Sequence, residues 1–135
     1  MGLNIGKLKT NKAKEKNGVW IEQPEGHAWL VARFNNQAYQ EYLASLLKPH
    51  RSQIRLDTFS MKIRNELVLK AFAKTVLLGW RNVQNEDGSE LVYSPEKAEE
   101  ILTLSSDLYE LIGELAMDAN NFKDVEPNKE AALGN

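Results

Sequence analysis

The middle of the chain carries its longest run of apolar residues at helical spacing. Lysine or glutamate occupies every fourth position over residues 62–74, so one side of such a helix is polar throughout. We therefore predict a central amphipathic helix that buries its other side. Asp57 or Thr58 would cap its start. Gly79 would end it in the left-handed conformation, and Trp80 would follow as a large anchor. The predicted apolar stripe contains Phe59, Ile63, Leu67, Val68, Ala71, Phe72, Val76 and Leu78.

A hairpin and another helix are predicted after the central helix. Asp87 and Gly88 form a dipeptide that is typical of tight hairpin turns, and the second strand would span Leu91 to Tyr93. Ser94 is a favourable N-cap, and Pro95 suits the first helical position because its missing amide hydrogen costs nothing there. The apolar side of this helix would contain Ala98, Ile101 and Leu102.

An N-terminal β-hairpin is predicted over residues 19–34, where apolar and polar positions alternate. Pro24 presets a backbone dihedral for the turn, and Gly26 supplies a positive φ. The hairpin carries two tryptophans, Trp20 and Trp29, which is more than so small an element can bury. We expect the core to cover one of them and the other to mark a contact surface.

Two further helices complete the predicted fold. Asn35 or Asn36 would cap the first, and Pro49 would end it near Lys48. Its apolar side contains Tyr39, Tyr42, Leu43, Leu46 and Leu47.

The last helix begins after a polar break at residues 105–107, where Asp107 and Glu110 have the spacing of a capping box. Gly113 costs this helix about 1 kcal/mol relative to alanine, and we interpret it as a site where a neighbouring helix approaches closely. The apolar face contains Leu108, Leu111, Ile112, Leu115 and Ala119.

These elements predict an α+β protein that is mainly α, a small domain of about four helices with one or two short β-hairpins. We assign residues 18–120 to this single domain. Residues 1–17 hold five lysines and one glutamate. We expect them to form a flexible basic arm that makes at most a weak contact with an acidic partner or nucleic acid. Residues 121–135 are expected to form a flexible tail.

Composition argues against several classes of function. The net charge of −2 differs from the basic balance of a nucleic-acid-binding domain. The absence of cysteine excludes thiol nucleophiles, thiolate metal sites and disulfides. No apolar run approaches the ~20 residues that span a bilayer, and no secretory signal follows the N-terminal lysines. We therefore expect a soluble, intracellular protein.

Candidate catalytic and metal-binding residues are few. His27 and His50 are the only histidines and lie in different predicted elements, so we expect isolated histidines rather than a shared metal site. A calcium loop aligned on Gly88 would place Val83 and Ser94 at ligand positions that require carboxylates. The chain has no phosphate-binding glycine loop, nucleophile elbow or H-E-x-x-H motif. We predict that the protein is not an enzyme and uses no cofactor or metal.

One ordered set of features runs through residues 55–120. It comprises an apolar helix followed by Gly79-Trp80, the turn Glu86-Asp87-Gly88, the segment Leu91-Val92-Tyr93-Ser94-Pro95-Glu96, and Ile101-Leu102. In this order and spacing the chain resembles the tail assembly chaperones of long-tailed bacteriophages, in particular those of lambda-like siphophages. The first hairpin and helix share the resemblance more weakly.

The resemblance implies an assembly factor that is not part of the virion and works in the cytoplasm of the host bacterium. Such chaperones coat the long helical tape measure protein, keep it soluble and promote polymerisation of the tail tube around it. The implied partners are therefore the tape measure protein, the tail tube protein through a frameshifted longer product, and further copies of the chain.

The frameshift is a separate hypothesis. The codons for Leu133-Gly134-Asn135 are able to contain the slippery heptamer G-GGA-AAC. Reading the gene tests this directly, because a gene without a slippery heptamer near the stop codon would remove the idea.

A chaperone of this kind needs apolar or aromatic contacts on a charged, soluble body. Two other functions compete with it. A structural completion or connector protein of the tail would be found in mature particles. A small DNA-binding regulator would bind duplex DNA in a salt-dependent manner, although the predicted helices lack a concentrated basic face. The aromatic residues that we predict to contact a partner are Trp20, Trp29, Tyr39, Tyr42 and Trp80.

Overall fold

The computed structural model describes residues 2–124, in which helices pack on a small antiparallel sheet. The strands are β1 (Val19–Glu22), β2 (Ala28–Val31) and β3 (Leu77–Arg81). The helices are α1 (Lys12–Asn17), α2 (Gln37–Leu47), α3 (Arg51–Arg55), α4 (Met61–Thr75), α5 (Pro95–Leu104) and α6 (Ser106–Met117). Short 3-10 segments occupy Ile5–Leu8, Lys48–His50 and Ala119–Phe122. The predicted α+β, mainly α class is confirmed.

The sheet has the order β1-β2-β3, and both pairings are antiparallel. The predicted N-terminal hairpin is therefore confirmed as β1 and β2. Its turn is closed by the amide of Gly26, which donates to the carbonyl of Gln23 at 3.0 Å, and Gly26 has a φ of +97°. Because β2 lies in the middle, its residues are covered by neighbouring strands on both edges.

The central helix α4 is shorter than the sequence predicts at both ends. Its N-cap is Ser60, whose side chain accepts a hydrogen bond from the amide of Ile63, and not Asp57 or Thr58. Asp57 instead adopts a φ of +58° in the turn that precedes the helix. At the other end α4 stops at Thr75, so the prediction that it continues to Gly79 is wrong.

The residues beyond Thr75 form strand β3. Val76, Leu77 and Leu78 fit a helical stripe and a buried strand equally well, because short apolar runs do not distinguish the two. Pairing with the centre of the sheet decides the outcome. Gly79 is consequently a strand residue opposite Leu30 and not a helix cap. A Cβ atom at position 79 would lie only 3.4 Å from the Cβ of Leu30.

The core lies where the second half of α4 meets the sheet and the other helices. Phe72 is buried at the centre, with its ring centroid 4.9 Å from that of Tyr109 and 6.2 Å from that of Phe34. α2 and α5 both pack against α4, and β3 continues from it. The largest fully buried side chains are Phe72, Phe122, Leu77, Leu102, Ile112, Val31 and Val76.

The turn around Gly88 forms as predicted, but the strand after it does not. Gly88 has a φ of +88°, and a single bridge joins Gln84 to Glu90. In the described part of the chain no strand ladder forms beyond this bridge, and a side-chain hydrogen bond helps to fix the segment that follows it. The indole Nε1 of Trp80 donates to the carbonyl of Leu91 at 2.6 Å.

Helix caps in the second half of the chain agree with the sequence at one helix and differ at the other. The hydroxyl of Ser94 accepts from the amide of Lys97 at 3.0 Å, and Pro95 opens α5, as predicted. For α6 the cap is Ser105, whose hydroxyl accepts from the amide of Leu108 at 3.1 Å. The capping box built on Asp107 is therefore wrong, because the helix begins two residues earlier.

One of the two N-cap residues predicted for α2 is confirmed. Asn36 is the N-cap, and its side-chain oxygen accepts from the amide of Tyr39 at 2.9 Å. The adjacent Asn35 adopts a φ of +61° and is not the cap. The helix ends at Leu47, so Pro49 ends it where the sequence predicts.

The two ends of the described chain lie together. The amide of Asn11 donates to the carbonyl of Phe122 at 2.7 Å, and the amide of Arg33 donates to the carbonyl of Glu15 at 2.9 Å. The lysine-rich segment therefore includes a helix, α1, that contacts the domain. Most of the predicted C-terminal tail, including Leu133-Gly134-Asn135, lies outside the described residues.

The three tryptophans have different environments. Trp29 and Trp80 are buried as cross-strand neighbours, and their rings meet edge to face with centroids 6.2 Å apart. Trp20 is 46% exposed on β1, with the guanidinium of Arg81 4.6 Å from its ring centroid. One hairpin tryptophan is therefore in the core and the other on the surface.

We expect Trp29→Ala to lower the free energy of unfolding by about 3–5 kcal/mol, because it removes a buried ring and leaves a cavity. Trp20→Ala, the matched control on the neighbouring strand, is expected to cost clearly less because its ring is half in water. Denaturant unfolding followed by circular dichroism measures both. Equal losses for the two variants would contradict this assignment.

Tyr93 links the segment before α5 to β3, since its hydroxyl donates to the carbonyl of Leu77 at 2.6 Å. Burial raises the pKa of Tyr93 to about 12, and the charge of Glu96 adds to the rise. The folded state thus favours the neutral phenol. Its contribution to stability is complete below the ordinary pKa of 10.0 and is lost as the pH rises to about 12.

We therefore expect the free energy of unfolding to fall between pH 10 and pH 12, the interval between those two pKa values. Tyr93→Phe should lose about 0.5–1.5 kcal/mol at neutral pH, because the Leu77 carbonyl loses its donor, and should show a smaller alkaline fall. Tyr42→Phe is the control, because the hydroxyl of Tyr42 bonds to no other residue among 2–124. If the free energy of unfolding of Tyr93→Phe fell between pH 10 and pH 12 as much as that of the wild-type chain, the assignment of this fall to Tyr93 would be contradicted.

Candidate partner-binding groove

An open apolar groove runs between α4 and α6. Its volume is about 460 Å³. It is lined by Phe34, Val68, Phe72, Ser106, Tyr109, Glu110, Gly113, Glu114 and Met117. Aromatic, aliphatic and thioether groups form its floor, and the polar side chains are confined to the edge on α6. This is the composition of a surface that binds an apolar partner.

Helical periodicity makes each wall a single stripe of side chains. Val68 and Phe72 are four residues apart on α4, so they lie one above the other on one face. Tyr109, Gly113 and Met117 repeat the same spacing on α6. Each wall is therefore a stripe of side chains along one helix.

Phe34 closes one end of the groove from the segment that follows β2. Its ring is 36% exposed and lies 5.2 Å from that of Tyr39, measured between centroids. Met117 lies at the same place, because the amide of Phe34 donates to the carbonyl of the preceding residue, Ala116, at 3.0 Å; Met117 is 56% exposed. Both side chains are apolar and accessible, so they extend the floor of the groove toward solvent.

Gly113 keeps the middle of the groove open. A Cβ atom at this position would meet no other atom within 4 Å. The expectation that a neighbouring helix of this chain approaches closely at Gly113 is therefore wrong. The absence of a side chain at Gly113 instead widens the groove. The sequence correctly indicated free space at this position, but no other described helix of the chain fills it.

The groove is neutral inside and charged at its borders. Glu110 and Glu114 are exposed, one turn apart, along the α6 edge. Burial raises the pKa of Tyr109, and the neighbouring phenol of Tyr39 adds to the rise. Burial also raises the pKa of Tyr39, which the positive charge of Arg64 partly opposes. The phenols therefore stay neutral at physiological pH, and the fixed negative charge lies only on the rim.

A second cleft lies between α1 and the start of α2, with a volume of about 700 Å³. Its lining is mainly polar and includes Lys12, Glu15, Lys16 and Arg33. Glu15 pairs with Arg33 across 3.9 Å and with Lys12 across 3.1 Å. One carboxylate faces three cations among these side chains, so the cleft keeps a net positive charge and lacks the apolar floor that an apolar partner would need.

The potential metal-ligating side chains are dispersed in the described residues. Among residues 2–124, no group of three or more histidine, cysteine, aspartate or glutamate side chains is arranged to hold a metal ion. His27 packs against Trp29 and His50 against Phe59, so the two imidazoles lie in separate places. Asp87 accepts hydrogen bonds from its neighbour Ser89, which lower its pKa.

Within residues 2–124, none of the helices combines the length and the apolar character that crossing a membrane requires.

The aromatic residues predicted to contact a partner are dispersed by the fold. Tyr39, Trp29 and Trp80 are at most 7% exposed and build the core. Tyr42 is half-buried, with the ammonium of Lys74 4.3 Å from its ring centroid. Trp20 alone among the five is largely accessible, and it lies on the sheet, outside the groove lining.

Sequence reasoning did not identify the groove. The useful signal was the width of the apolar stripe on α4, which Val68 and Phe72 extend beyond what one neighbour covers. Nothing in the sequence indicated that Phe34 and Met117 line the groove. Phe34 follows β2 and Met117 ends α6, and at such positions hydrophobic periodicity does not predict which way a side chain points. Their meeting depends on how α6 packs beside β2.

Comparison with known proteins identifies the family. The family model described as YdaY prophage protein matches residues 34–135. No curated protein and no solved structure is significantly similar to the chain. The match covers well over half of the chain, begins at Phe34 and includes every residue that lines the groove. The chain belongs to the YdaY prophage protein family.

Proposed function

We propose that this prophage protein is a tail assembly chaperone that binds the tape measure protein and is absent from the finished virion. It keeps that long helical client soluble and promotes assembly of the tail tube around it. The observation that carries the proposal is the open apolar groove between α4 and α6. A groove of this form fits the apolar face of an amphipathic helix, which is a common mode of peptide recognition.

The dimensions of the groove limit what one copy contacts. Tyr109 to Met117 spans eight helical steps, or about 12 Å at 1.5 Å per residue, which corresponds to roughly two turns of a bound helix. So short a contact gives modest affinity. A client with many such segments would gain strength from several copies bound along it, because linked sites raise the effective concentration.

Charge at the rim sets the preferred client segment. Glu110 and Glu114 form the polar edge, so a helix with lysine or arginine beside its apolar stripe fits better than an acidic one. These carboxylates are exposed, and salt screens them over about 8 Å at physiological ionic strength. The rim therefore selects orientation and register more than it adds affinity.

The remaining parts of the proposed function follow from the same role. The protein acts in the cytoplasm of the host bacterium, by binding and without catalysis, cofactor or metal. The tail tube protein is recruited through a frameshifted longer product. Neither a membrane nor a nucleic acid is required as a partner.

Co-expression with the tape measure protein of the same prophage tests the proposal. We expect the wild-type chain to raise the soluble fraction of the tape measure protein and to copurify with it. Gly113→Leu should reduce the retained client by about tenfold or more, because its side chain fills the groove and displaces one apolar side chain of the client.

Gly113→Ala is the matched control. It adds one methyl group in open space and a better helix former, so it should bind the client and unfold at an equal or higher temperature. Loss of binding in Gly113→Leu alone, with both variants folded, supports the groove. A tape measure protein that stays insoluble beside the wild-type chain would refute the chaperone role, and equal binding by Gly113→Leu would refute the groove.

A further inference from the structure

Charge is segregated between two surfaces that lie on different elements. Residues 48–63, here called the basic lobe, contain four lysine or arginine residues and one aspartate. Residues 96–114 contain six acidic residues and one lysine. Among residues 2–124, no cation of the basic lobe forms an ion pair with another described side chain. The lobe therefore presents unneutralised positive charge.

The basic lobe also borders an apolar depression. This depression has a volume of about 400 Å³, lies between α2 and α3, and is lined by Ala44, Ser45, Leu47, Lys48, Arg51 and Ile54. Leu47 and Ile54 contribute apolar side chains to this lining, and Lys48 and Arg51 contribute cations. Ile54 is 39% exposed.

The acidic region, residues 96–114, carries an exposed apolar side chain. Leu104, the last residue of α5, is 78% exposed. It stands beside Glu96, Glu99, Glu100 and Thr103, which line one shallow surface with it. Lys97 neutralises part of Glu100 across 3.0 Å, and no described cation pairs with Glu96 or Glu99. An exposed leucine thus stands within a group of carboxylates.

We infer that copies of this chain associate head to tail, with Leu104 of one copy seated in the depression between α2 and α3 of the next. An apolar projection among carboxylates meets an apolar hollow rimmed by cations. Glu99 and Glu100 face Lys48 and Arg51 in this arrangement. The apolar content and the sign of the charge therefore agree at one contact.

Among residues 2–124, no ion pair joins the two surfaces within one copy. α2 and α5 each pack on the central helix α4, and Lys48, Arg51 and Glu100 are exposed. The contact is accordingly heterologous, which generates a ring if the rotation closes and an open helical array if it does not. The groove between α4 and α6 has different lining residues, so it stays free in the assembly.

Sedimentation velocity of the purified chain over a range of protein and salt concentrations tests this inference, which does not depend on the proposed client. We expect the average mass to rise with protein concentration and to fall with added salt, because salt screens the charges at the contact. Leu104→Asp and Arg51→Glu should each raise the apparent dissociation constant by about tenfold or more.

Matched controls separate this contact from general surface effects. Val92→Asp places the same change on another exposed apolar residue, and Lys16→Glu reverses a charge outside the basic lobe. Both controls should associate like the wild-type chain. Circular dichroism should show the same unfolding temperature for all four variants within a few degrees, because every substituted side chain is exposed.

Mixing the two defective variants identifies the head-to-tail geometry. Arg51→Glu retains an intact acidic surface, and Leu104→Asp retains an intact basic depression. Their equimolar mixture should form dimers and no larger species at a protein concentration at which each variant alone is monomeric. A wild-type chain that is monomeric at every concentration would overturn the inference. Unchanged association of both variants, or a mixture that remains monomeric, would also overturn it.

Discussion

Burial of the second half of α4 is the constraint on which the rest of the fold depends. Phe72 occupies the centre of that half, and only the connecting residue Val76 separates α4 from β3. The carbonyl of Val76 accepts a hydrogen bond from the amide of Ala32, which follows β2, at 2.8 Å. The helix and the sheet are therefore fixed to each other by continuous chain and by a buried hydrogen bond, and the remaining helices pack on this unit.

The same arrangement leaves the first half of α4 with few neighbours. Met61 is 66% exposed and Ile63 is 40% exposed, whereas the residues from Ala71 onward are buried except for Lys74. Core formation is thus completed at one end of the helix. The middle of the helix, at Val68, supplies part of one wall of the groove, and the start of the helix belongs to the basic lobe. The groove is open because the apolar stripe of α4 is longer than the layer that covers it, whereas the depression of the basic lobe lies between α2 and α3.

The proposed roles use these surfaces in complementary ways. An apolar groove with a charged rim suits a helical client, and a separate pair of oppositely charged surfaces suits association between copies. A long client with repeated helical segments is served best by a protein that lines up along it. Membership of a prophage family is consistent with such a role. Local apolar contact provides the affinity, and charge at the borders provides the direction.

The sequence by itself determined the elements whose signals are local. Periodicity and capping chemistry predicted the N-terminal hairpin, the start of α2 at Asn36, the start of α5 at Ser94 and the turn at Gly88. Each of these depends on a side chain that satisfies backbone groups a few residues away. The mainly α class with a small sheet followed from the same signals.

Only the tertiary structure decided where competing local signals were equal or where distant residues meet. The run that follows Thr75 was compatible with helix and strand, and pairing with β2 made it β3. The groove depends on Phe34, Phe72 and Met117, which lie far apart in the chain. Whether an aromatic ring builds the core or faces water is likewise a property of packing, because burial is decided by the neighbours that surround a side chain and not by its own chemistry.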